Sequence, residues 1–384
     1  MTSIKNKLPW QIIFAFVFFI LFNLTMHLFS VDNASYIHGA DADRYYIPAM
    51  NLASGDGLGG LTYTGPLYPI YIATHIYLVG ESHALTALVI TQSILLFFTG
   101  YITTLLARNL GLSVTPIIVL IFVVINPNSI MIAHLVQTET LFTFLLTIYF
   151  FLLHKYFNSQ KLKTLLIISL TALLISYTRP AGMYVMALFS VFTIPIFFIS
   201  KVKLKWFNHN ITYIVILAIG LSLVGIHNNK IHGQYFITAN KGHVFHDQYV
   251  ALLQFGHGLS SSEALLKAKN SLSNNLSQNY IDCVDKMTSI RCKDKVASIY
   301  INEIINEKPK TIIKGVATSV TSLLFAGGAS NFSNYFGHEA KSHIVEMEQA
   351  EGGLYQINKI NKLISNINIE YLAALLIFWG WAFI

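Results

Sequence analysis

The sequence predicts an all-α, multi-pass membrane protein. Of its 384 residues, 54% are hydrophobic and only 11% are charged, whereas about a quarter of the residues in an ordinary soluble domain carry charge. Long uncharged runs recur along the chain, and most approach the roughly 20 residues that an α-helix needs to cross the hydrocarbon core. The net charge of +7 comes from short lysine clusters between these runs. Membrane topology therefore explains the charge better than nucleic-acid binding does.

The uncharged runs predict at least eight or nine transmembrane helices. A central Asp, Lys or Arg costs about 2.5–3.5 kcal/mol on insertion, so each span ends where charges return. The predicted spans are 10–31, 84–107, 112–136, 138–154, 164–178, 180–200 and 210–227, with a weaker one at 309–327 and a last one at 366–384. We interpret the first as a retained signal anchor, because it is too long for a cleaved signal core.

Two segments depart from this pattern. The stretch from Pro66 to Gly80 is apolar, short and bounded by proline, which favours a helix in the interface or a re-entrant piece. The chain ends inside an apolar run without a polar tail. This ending predicts a truncated C-terminus, so that the number of spans is a minimum.

Lysines and arginines set the predicted orientation. With the N-terminus in the cytoplasm, alternate crossings place Arg108 and the lysines of 155–163 and 201–205 on the cytoplasmic side, and no acid lies in these clusters. This arrangement agrees with the positive-inside rule. The acid-rich loop 32–65 and Arg179 then lie on the extracytoplasmic side.

The same topology divides the chain into three parts. Residues 1–227 form an N-terminal transmembrane module with an outer loop at 32–83, which is predicted to carry the active site. Residues 228–308 form an extracytoplasmic segment, and residues 309–384 form a C-terminal membrane-associated segment. The two cysteines, Cys283 and Cys292, lie in the middle part, where a disulfide or two free thiols are both compatible with the sequence.

Carboxylates follow directly on the first predicted span. Asp41 and Asp43 stand beside Arg44 and Tyr45, and the apolar segments after them should fold the loop back onto the bilayer. Acids at such an interface are costly unless they are used, so we favour a functional role. The alternative is a solvated loop whose acids face water and keep it outside.

Two further charged residues lie on the predicted outer face. Arg179, in "SYTRPAG", separates two apolar runs, and its guanidinium fork suits a pair of phosphate oxygens. A snorkelling interfacial charge explains Arg179 equally well. Glu139 opens the span 138–154, where the helix dipole favours an acid. Capping explains Glu139 adequately, and substrate binding is the alternative.

No motif predicts a bound metal or nucleotide. "GDGLGG" at 55–60 has no preceding strand, as a dinucleotide-binding fold would require. "HEAKSH" at 338–343 does not place its histidines on one helical face. The polar stretch 227–245, with Lys230 and Lys241, is compatible with a ligand site and with an ordinary loop.

A series of motifs resembles the polyprenyl-phosphate-sugar-dependent glycosyltransferases of the GT-C superfamily, particularly bacterial family 39 and aminoarabinose-transferase-like members. The matching segments are "DADRY", "LASGDG", "YTGPLYPIYIA", "TLLARNLG", "QTETLFTFLL", "LLISYTRPAGMYV", "NNKIHGQYFITANKG" and "YINEIINEKPKTIIKG". They follow one another in order over nearly the whole chain. The chain departs from the family at Asn228 and Asn229, where an arginine–asparagine pair is common.

The resemblance implies a GT-C-like helical bundle with a helical first outer loop in a bacterial cytoplasmic (inner) membrane. It implies sugar transfer from a polyprenyl phosphate to an envelope glycan, lipid or protein. Asp41 would be the general base and Asp43 the fallback. The implied substrate-binding residues are Arg44, Tyr45, Glu139, Arg179 and Lys241. The resemblance implies no nucleotide and leaves a divalent cation open.

Two functions from other classes remain open. A lipid or sugar transporter would place ionisable residues or broken helices near the midplane, often in repeated halves, whereas the charges here gather at one face. A non-catalytic subunit of an envelope assembly is the third possibility. Replacing the Asp41 region without loss of activity would favour the non-catalytic subunit.

Overall fold

The computed structural model describes residues 42–59, 64–111, 127–199, 203–238, 241–275 and 290–325, together with isolated positions at 13–23, 120 and 123. Within these residues, all regular secondary structure is helical. The chain forms two compact units, and among the described residues the division falls between Ile237 and Thr238. The protein is therefore a helical membrane protein whose polar middle part begins a separate unit.

Unit 1 contains eight described helices: α1 (Ala42–Ser54), α2 (Leu67–Val79), α3 (Glu81–Asn109), α4 (Pro127–Ala133), α5 (Glu139–Ser159), α6 (Leu162–Thr178), α7 (Gly182–Ile199) and α8 (Lys203–His232). In the described part of the chain, three helices are long and apolar enough to cross a bilayer: Glu81–Asn109, Glu139–Ser159 and Leu204–His232. Helices α2, α6 and α7 are apolar but shorter.

Local sequence explains several helix ends in unit 1. Gly80, between α2 and α3, has φ 79°, a left-handed backbone conformation that glycine adopts without steric cost. Helix α6 ends at Arg179, whose backbone is extended (φ −141°, ψ 137°), because the residue before a proline avoids the helical region. Helix α5 closes on Gln160 in the left-handed conformation.

The core of unit 1 lies where α5 packs against α3 and α6, and where α6 packs in turn against α7 and α8. Large side chains fill this core, among them the fully buried Tyr68, Tyr149, Tyr156, Phe189 and Tyr213. Many apolar side chains of α7 and α8 point outward instead, including Phe198, Leu204, Ile219 and Leu223. Outward apolar residues are expected where a helix faces lipid.

Unit 2 contains α9 (Lys241–Ala251), a π-helical turn (Leu252–Gly256), α10 (Ser261–Asn275), α11 (Ile290–Ile305) and α12 (Pro309–Phe325). Its core joins Tyr249 and Leu253 to Ala264, Ala268 and Tyr300. Helix α10 begins with a capping box, in which the Ser260 backbone N–H donates to Glu263 Oε2 (2.9 Å) and the Glu263 N–H donates to Ser260 Oγ (3.3 Å). The hydrogen bonds that the Ser260 backbone N–H and the Ser260 hydroxyl donate to the Glu263 carboxylate lower the pKa of Glu263.

The predicted runs at 84–107, 138–154 and 210–227 coincide with α3, α5 and α8, which are the three helices of spanning length. The runs at 164–178, 180–200 and 309–327 form α6, α7 and α12. The end of the run 112–136 forms the short helix α4 and a turn. The first predicted span is described only at isolated positions, and the last lies outside the described residues.

Candidate functional site

Glu139 and Arg179 form an ion pair at one end of unit 1. The Arg179 Nη1 atom donates to Glu139 Oε1 at 2.6 Å. Both side chains are partly open to the surroundings, with 39% of Arg179 and 36% of Glu139 exposed. The guanidinium carbon also lies 5.9 Å from the centroid of the Phe142 ring, within the range of a cation–π contact. The arginine is thus held by two side chains from the first turn of α5.

The ends of two helices position this pair. Glu139 is the first residue of α5, and Arg179 follows the last residue of α6. The two helices pack against each other, and Arg179 is joined to α6 by its backbone N–H, which donates to the Ile175 carbonyl (3.1 Å). The proline after Arg179 ends the helix there, so that the side chain starts at the rim of the bundle.

The segment before α2 approaches the same rim. Gly65 is buried, and a Cβ atom added to it would lie 2.0 Å from the backbone oxygen of Tyr177. Real Cβ atoms do not come that close to a main-chain oxygen, so the position requires glycine. This close approach brings the start of α2 to the end of α6, next to Arg179.

Tyr68 and Gln92 form a fully buried hydrogen-bonded pair below this rim. The Tyr68 hydroxyl donates to Gln92 Oε1 (2.8 Å), and Gln92 Nε2 donates to the carbonyls of Ala133 and Leu135 (2.9 Å each). Gln92 therefore joins α2, α3 and the turn that leads into Glu139. The Leu135 carbonyl lies four residues before Glu139, so this network reaches the turn that precedes the ion pair.

Helix α1, which carries the predicted acids, packs on α2. The Tyr45 ring meets the Tyr68 ring edge to face, with centroids 5.2 Å apart. Asp43 and Arg44 are exposed on the first turn of α1, and Asp41 lies outside the described residues. Burial, followed by the Glu81 carboxylate, raises the pKa of the neighbouring Tyr46. The tyrosine therefore stays neutral at ordinary pH.

The end of α8 adds a third polar group to this rim. His227 contacts the Gly59 carbonyl through Nε2 (3.2 Å), which joins α8 to the turn after α1. Asn228 is fully buried, and its Nδ2 donates to the Phe236 carbonyl (3.0 Å). Its Oδ1 has no hydrogen-bond partner. Of the two asparagines at which the sequence departs from the resembled family, Asn228 is thus packed into unit 1, whereas Asn229 is exposed.

We call this rim the arginine end; it comprises Gly59, Gly65, Glu139, Arg179 and His227. Of the residues predicted from sequence, Glu139 and Arg179 pair with each other here, and Tyr45 contacts Tyr68 on the neighbouring helix α2. Asp43 and Arg44 lie on the first turn of the adjoining helix α1. Lys241 begins α9 in unit 2, and its side chain lies outside the described part.

Sequence reasoning missed Tyr68, Gln92 and Phe142. A signal for Gln92 was present, since it is an amide inside a long apolar run, where polar side chains are enriched at helix contacts. A signal for Gly65 was also present in the dipeptide Gly65–Pro66, which marks a turn. Neither pattern names the partner residue, because the partners lie on other helices.

Metal binding finds no support in the described residues, which contain no group of three His, Cys, Asp or Glu side chains able to hold an ion. His75 and His134 are buried in hydrogen-bonded positions instead. Cys283 and the side chain of Cys292 lie outside the described part, so a disulfide and two free thiols both stay open. Comparison of the chain with protein-family models, curated proteins and solved structures returned no match.

Proposed function

We propose that the protein is a membrane glycosyltransferase that moves a sugar from a polyprenyl-phosphate donor to an envelope glycan, lipid or protein. The observation that carries the proposal is the Glu139–Arg179 pair, which holds a half-exposed guanidinium at the end of apolar helices. Helix α1, which directly follows the predicted general base, packs on α2, and the segment before α2 approaches the end of α6 next to Arg179. The proposed transfer requires the acid and the cation to share this end of the bundle.

The proposed reaction is a single displacement. Asp41 accepts the proton of the acceptor hydroxyl while that oxygen attacks the anomeric carbon of the sugar. The bond from the anomeric carbon to the phosphate oxygen breaks, and the configuration inverts. Arg179, aided by Arg44, stabilises the negative charge that grows on the leaving polyprenyl phosphate. Tyr45 holds α1 in place against Tyr68.

The proposed topology follows the lysine pattern and includes eight or nine spans in a GT-C-like bundle. The N-terminus lies in the cytoplasm of a bacterial cell, and the arginine end faces the extracytoplasmic side of the inner membrane. Support comes from Lys205, whose Nζ donates to Gln160 Oε1 (3.2 Å). This contact joins two of the lysine-bearing turns, 155–163 and 201–205, at the other end of α5 and α6.

The proposal is tested by replacing the predicted base. Cells that carry Asp41→Asn should lose the product almost entirely, because a general base contributes about 10²- to 10⁴-fold in rate. Mass spectrometry of lipids and glycans from cells without the gene, with the wild-type gene and with the variant names the product and the donor together.

Asp56→Asn is the matched control, since Asp56 is an exposed acid in the turn after α1 and should leave the product unchanged. If Asp41→Asn makes normal amounts of product and Asp43→Asn makes none, Asp43 is the general base. Normal levels in both variants, with the protein inserted in the membrane, would refute the proposed mechanism.

A transporter is the second candidate, and one observation favours it. His134 is almost fully buried in the helical bundle, where its Nε2 contacts Asn23 Oδ1 (2.9 Å), which also accepts from Ser93 (2.9 Å). Buried polar chains occur along transport paths. Movement of a lipid-linked sugar across proteoliposomes without any acceptor would favour the transporter, and sugar transfer without such movement would favour the enzyme.

A further inference from the structure

In the part of the chain that the structure describes, only some of the N–H donors of the Arg179 guanidinium are hydrogen-bonded. Nη1 donates to Glu139 Oε1 at 2.6 Å, and within the described residues its other N–H groups meet no protein acceptor. An arginine side chain presents its donors in a rigid fork, and two parallel N–H groups can bind one anionic group. With 39% of the side chain exposed, the remaining edge of the fork is open to a second anion.

The position of Arg179 selects the chemistry of that second anion. It stands between the apolar helices α6 and α7, and Tyr184, just beyond it, is 80% exposed. A ligand that reaches this guanidinium from the side of the helices must have an apolar body and an anionic head. Arginine forks match phosphate oxygens in spacing and charge. These observations favour a lipid phosphate over a small soluble anion.

A bound phosphate and Glu139 would compete for the same cation. The carboxylate already lies 2.6 Å from Nη1, so a phosphate on the neighbouring N–H groups would approach a like charge at close range, which is unfavourable. The Phe142 ring also contacts the guanidinium, whose carbon lies 5.9 Å from the ring centroid. It can keep the arginine in place while the carboxylate turns away.

We propose that Glu139 is an internal counter-ion of Arg179 that a lipid phosphate displaces on binding and that returns when the phosphate leaves. Glu139 thus lowers the affinity of the site for the phosphate group and speeds its release. This inference rests on the proposed function, in which Arg179 binds the departing polyprenyl phosphate. It adds a role for the acid that helix capping alone does not provide.

The test measures binding of farnesyl phosphate to the purified full-length protein in lipid nanodiscs. Glu139→Gln keeps a hydrogen-bond acceptor for Arg179 and removes the charge. It should bind farnesyl phosphate about fivefold more tightly than the wild type does, the change expected for loss of a partly exposed like charge. Arg179→Gln should abolish binding, alone and together with Glu139→Gln.

Glu81→Gln is the matched control. Glu81 opens α3 as Glu139 opens α5, and within the described part of the chain it forms no ion pair, so its replacement should leave the affinity unchanged. Binding of farnesol tests the apolar chain of the ligand without its phosphate, and binding of inorganic phosphate tests the phosphate without the chain. Binding of farnesyl phosphate alone supports a lipid phosphate, whereas equal binding of inorganic phosphate would overturn the assignment to a lipid.

Unchanged or weaker binding by Glu139→Gln would also overturn the proposal, as would a wild type that does not bind farnesyl phosphate. Thermal unfolding of each variant shows whether it is folded. Failure of the glycosyltransferase proposal is seen separately, as unchanged lipids and glycans in cells without the gene. If the protein has no transfer activity but Glu139→Gln still binds farnesyl phosphate more tightly than the wild type, the counter-ion role of Glu139 is supported all the same.

Discussion

Charged side chains are arranged differently at the two ends of unit 1. At the arginine end, the half-exposed charges of Glu139 and Arg179 pair with each other, Tyr68 and Gln92 form a buried hydrogen bond, and Gly65 packs against a main-chain oxygen. At the other end, which we call the lysine end, the charges of Lys155, Lys161, Lys163 and Lys205 are exposed. In the described part of the chain, the charges of the arginine end thus form a side-chain ion pair, whereas those of the lysine end do not.

An aromatic cluster packs inside the lysine end, near its exposed lysines. Tyr156 is fully buried and contacts Phe189, Trp206 and His209, with ring centroids 5.4 to 5.9 Å apart. Its hydroxyl meets His209 Nδ1 at 2.5 Å. Aromatic side chains with one polar atom suit the boundary between hydrocarbon and water.

The difference shows which end is suited to chemistry. Exposed lysines above an aromatic cluster can set orientation in the bilayer, but they offer little to hold a substrate. A half-exposed arginine joined to buried hydrogen bonds can bind an anion in a defined position. The position of the proposed site therefore follows from how each end arranges its polar groups, since both ends carry charge.

The largest expected effect tests the close approach at the arginine end. Gly65→Ala places a methyl group 2.0 Å from the Tyr177 oxygen and should cost about 3 kcal/mol or more, because backbone must move. Thermal unfolding in detergent measures the loss. Gly233→Ala is the control: its φ is 66° and a Cβ there meets open space. This control should lower the free energy of unfolding by about 1–2 kcal/mol, the backbone strain of a non-glycine residue at positive φ.

If Gly65→Ala were as stable as the wild type, the start of α2 would not pack against the end of α6. The arginine end would then lack the contact that brings the start of α2 next to Arg179, and the contrast with the lysine end would be lost.

The next effect concerns the buried amide of α3. Gln92→Leu leaves the Tyr68 hydroxyl and the Ala133 and Leu135 carbonyls without this partner, and it should destabilise the protein by about 3 kcal/mol, since each unpaired buried group costs about 1–3 kcal/mol. Chemical unfolding of the solubilised protein provides the measurement. Thr99→Val on the same helix should cost less than about 1 kcal/mol, because the Thr99 hydroxyl bonds only to its own helix at Leu95.

Equal stability of Gln92→Leu and Thr99→Val would show that the polar pair contributes nothing beyond ordinary helix packing. A second measurement sharpens the comparison: Gln92→Leu should also weaken farnesyl phosphate binding, because the turn before Glu139 loses its support.

The smallest effect belongs to the lysine end. Tyr156→Phe removes the hydroxyl that meets His209 and keeps the ring contacts, so it should cost about 1 kcal/mol, as measured by the same unfolding experiment. Farnesyl phosphate binding should be unchanged, since the residue lies at the far end of α5. A binding loss as large as that of Gln92→Leu would mean that the two ends do not act separately.

Much of the helical architecture was predictable. Uncharged apolar runs gave the positions of α3, α5 and α8, because charge is costly in hydrocarbon and its absence over about 20 residues is a strong signal. Their exact ends were less predictable: the run at 210–227 lies within the longer helix Lys203–His232, since a helix can continue past the bilayer into polar residues. The shorter helices α6 and α7 also coincide with predicted runs.

The candidate site was predictable only in part. Glu139 was expected at the start of a helix and Arg179 at the end of an apolar run, and both lie there. Their direct contact was not expected, because it depends on how α5 packs against α6. Asp41 stays a prediction, since it lies outside the described residues.

The sequence alone determined that this chain is helical and lies in a membrane, because hydrophobicity and charge act residue by residue along the chain. It also determined where lysines and acids stand relative to the apolar runs. Only the tertiary structure decided that Tyr45 meets Tyr68 and that Glu139 pairs with Arg179. Contacts between helices depend on packing, on close approaches such as that at Gly65, and on buried hydrogen bonds such as those of Gln92. The partners in these contacts are far apart in the chain, and no local pattern of residues specifies them.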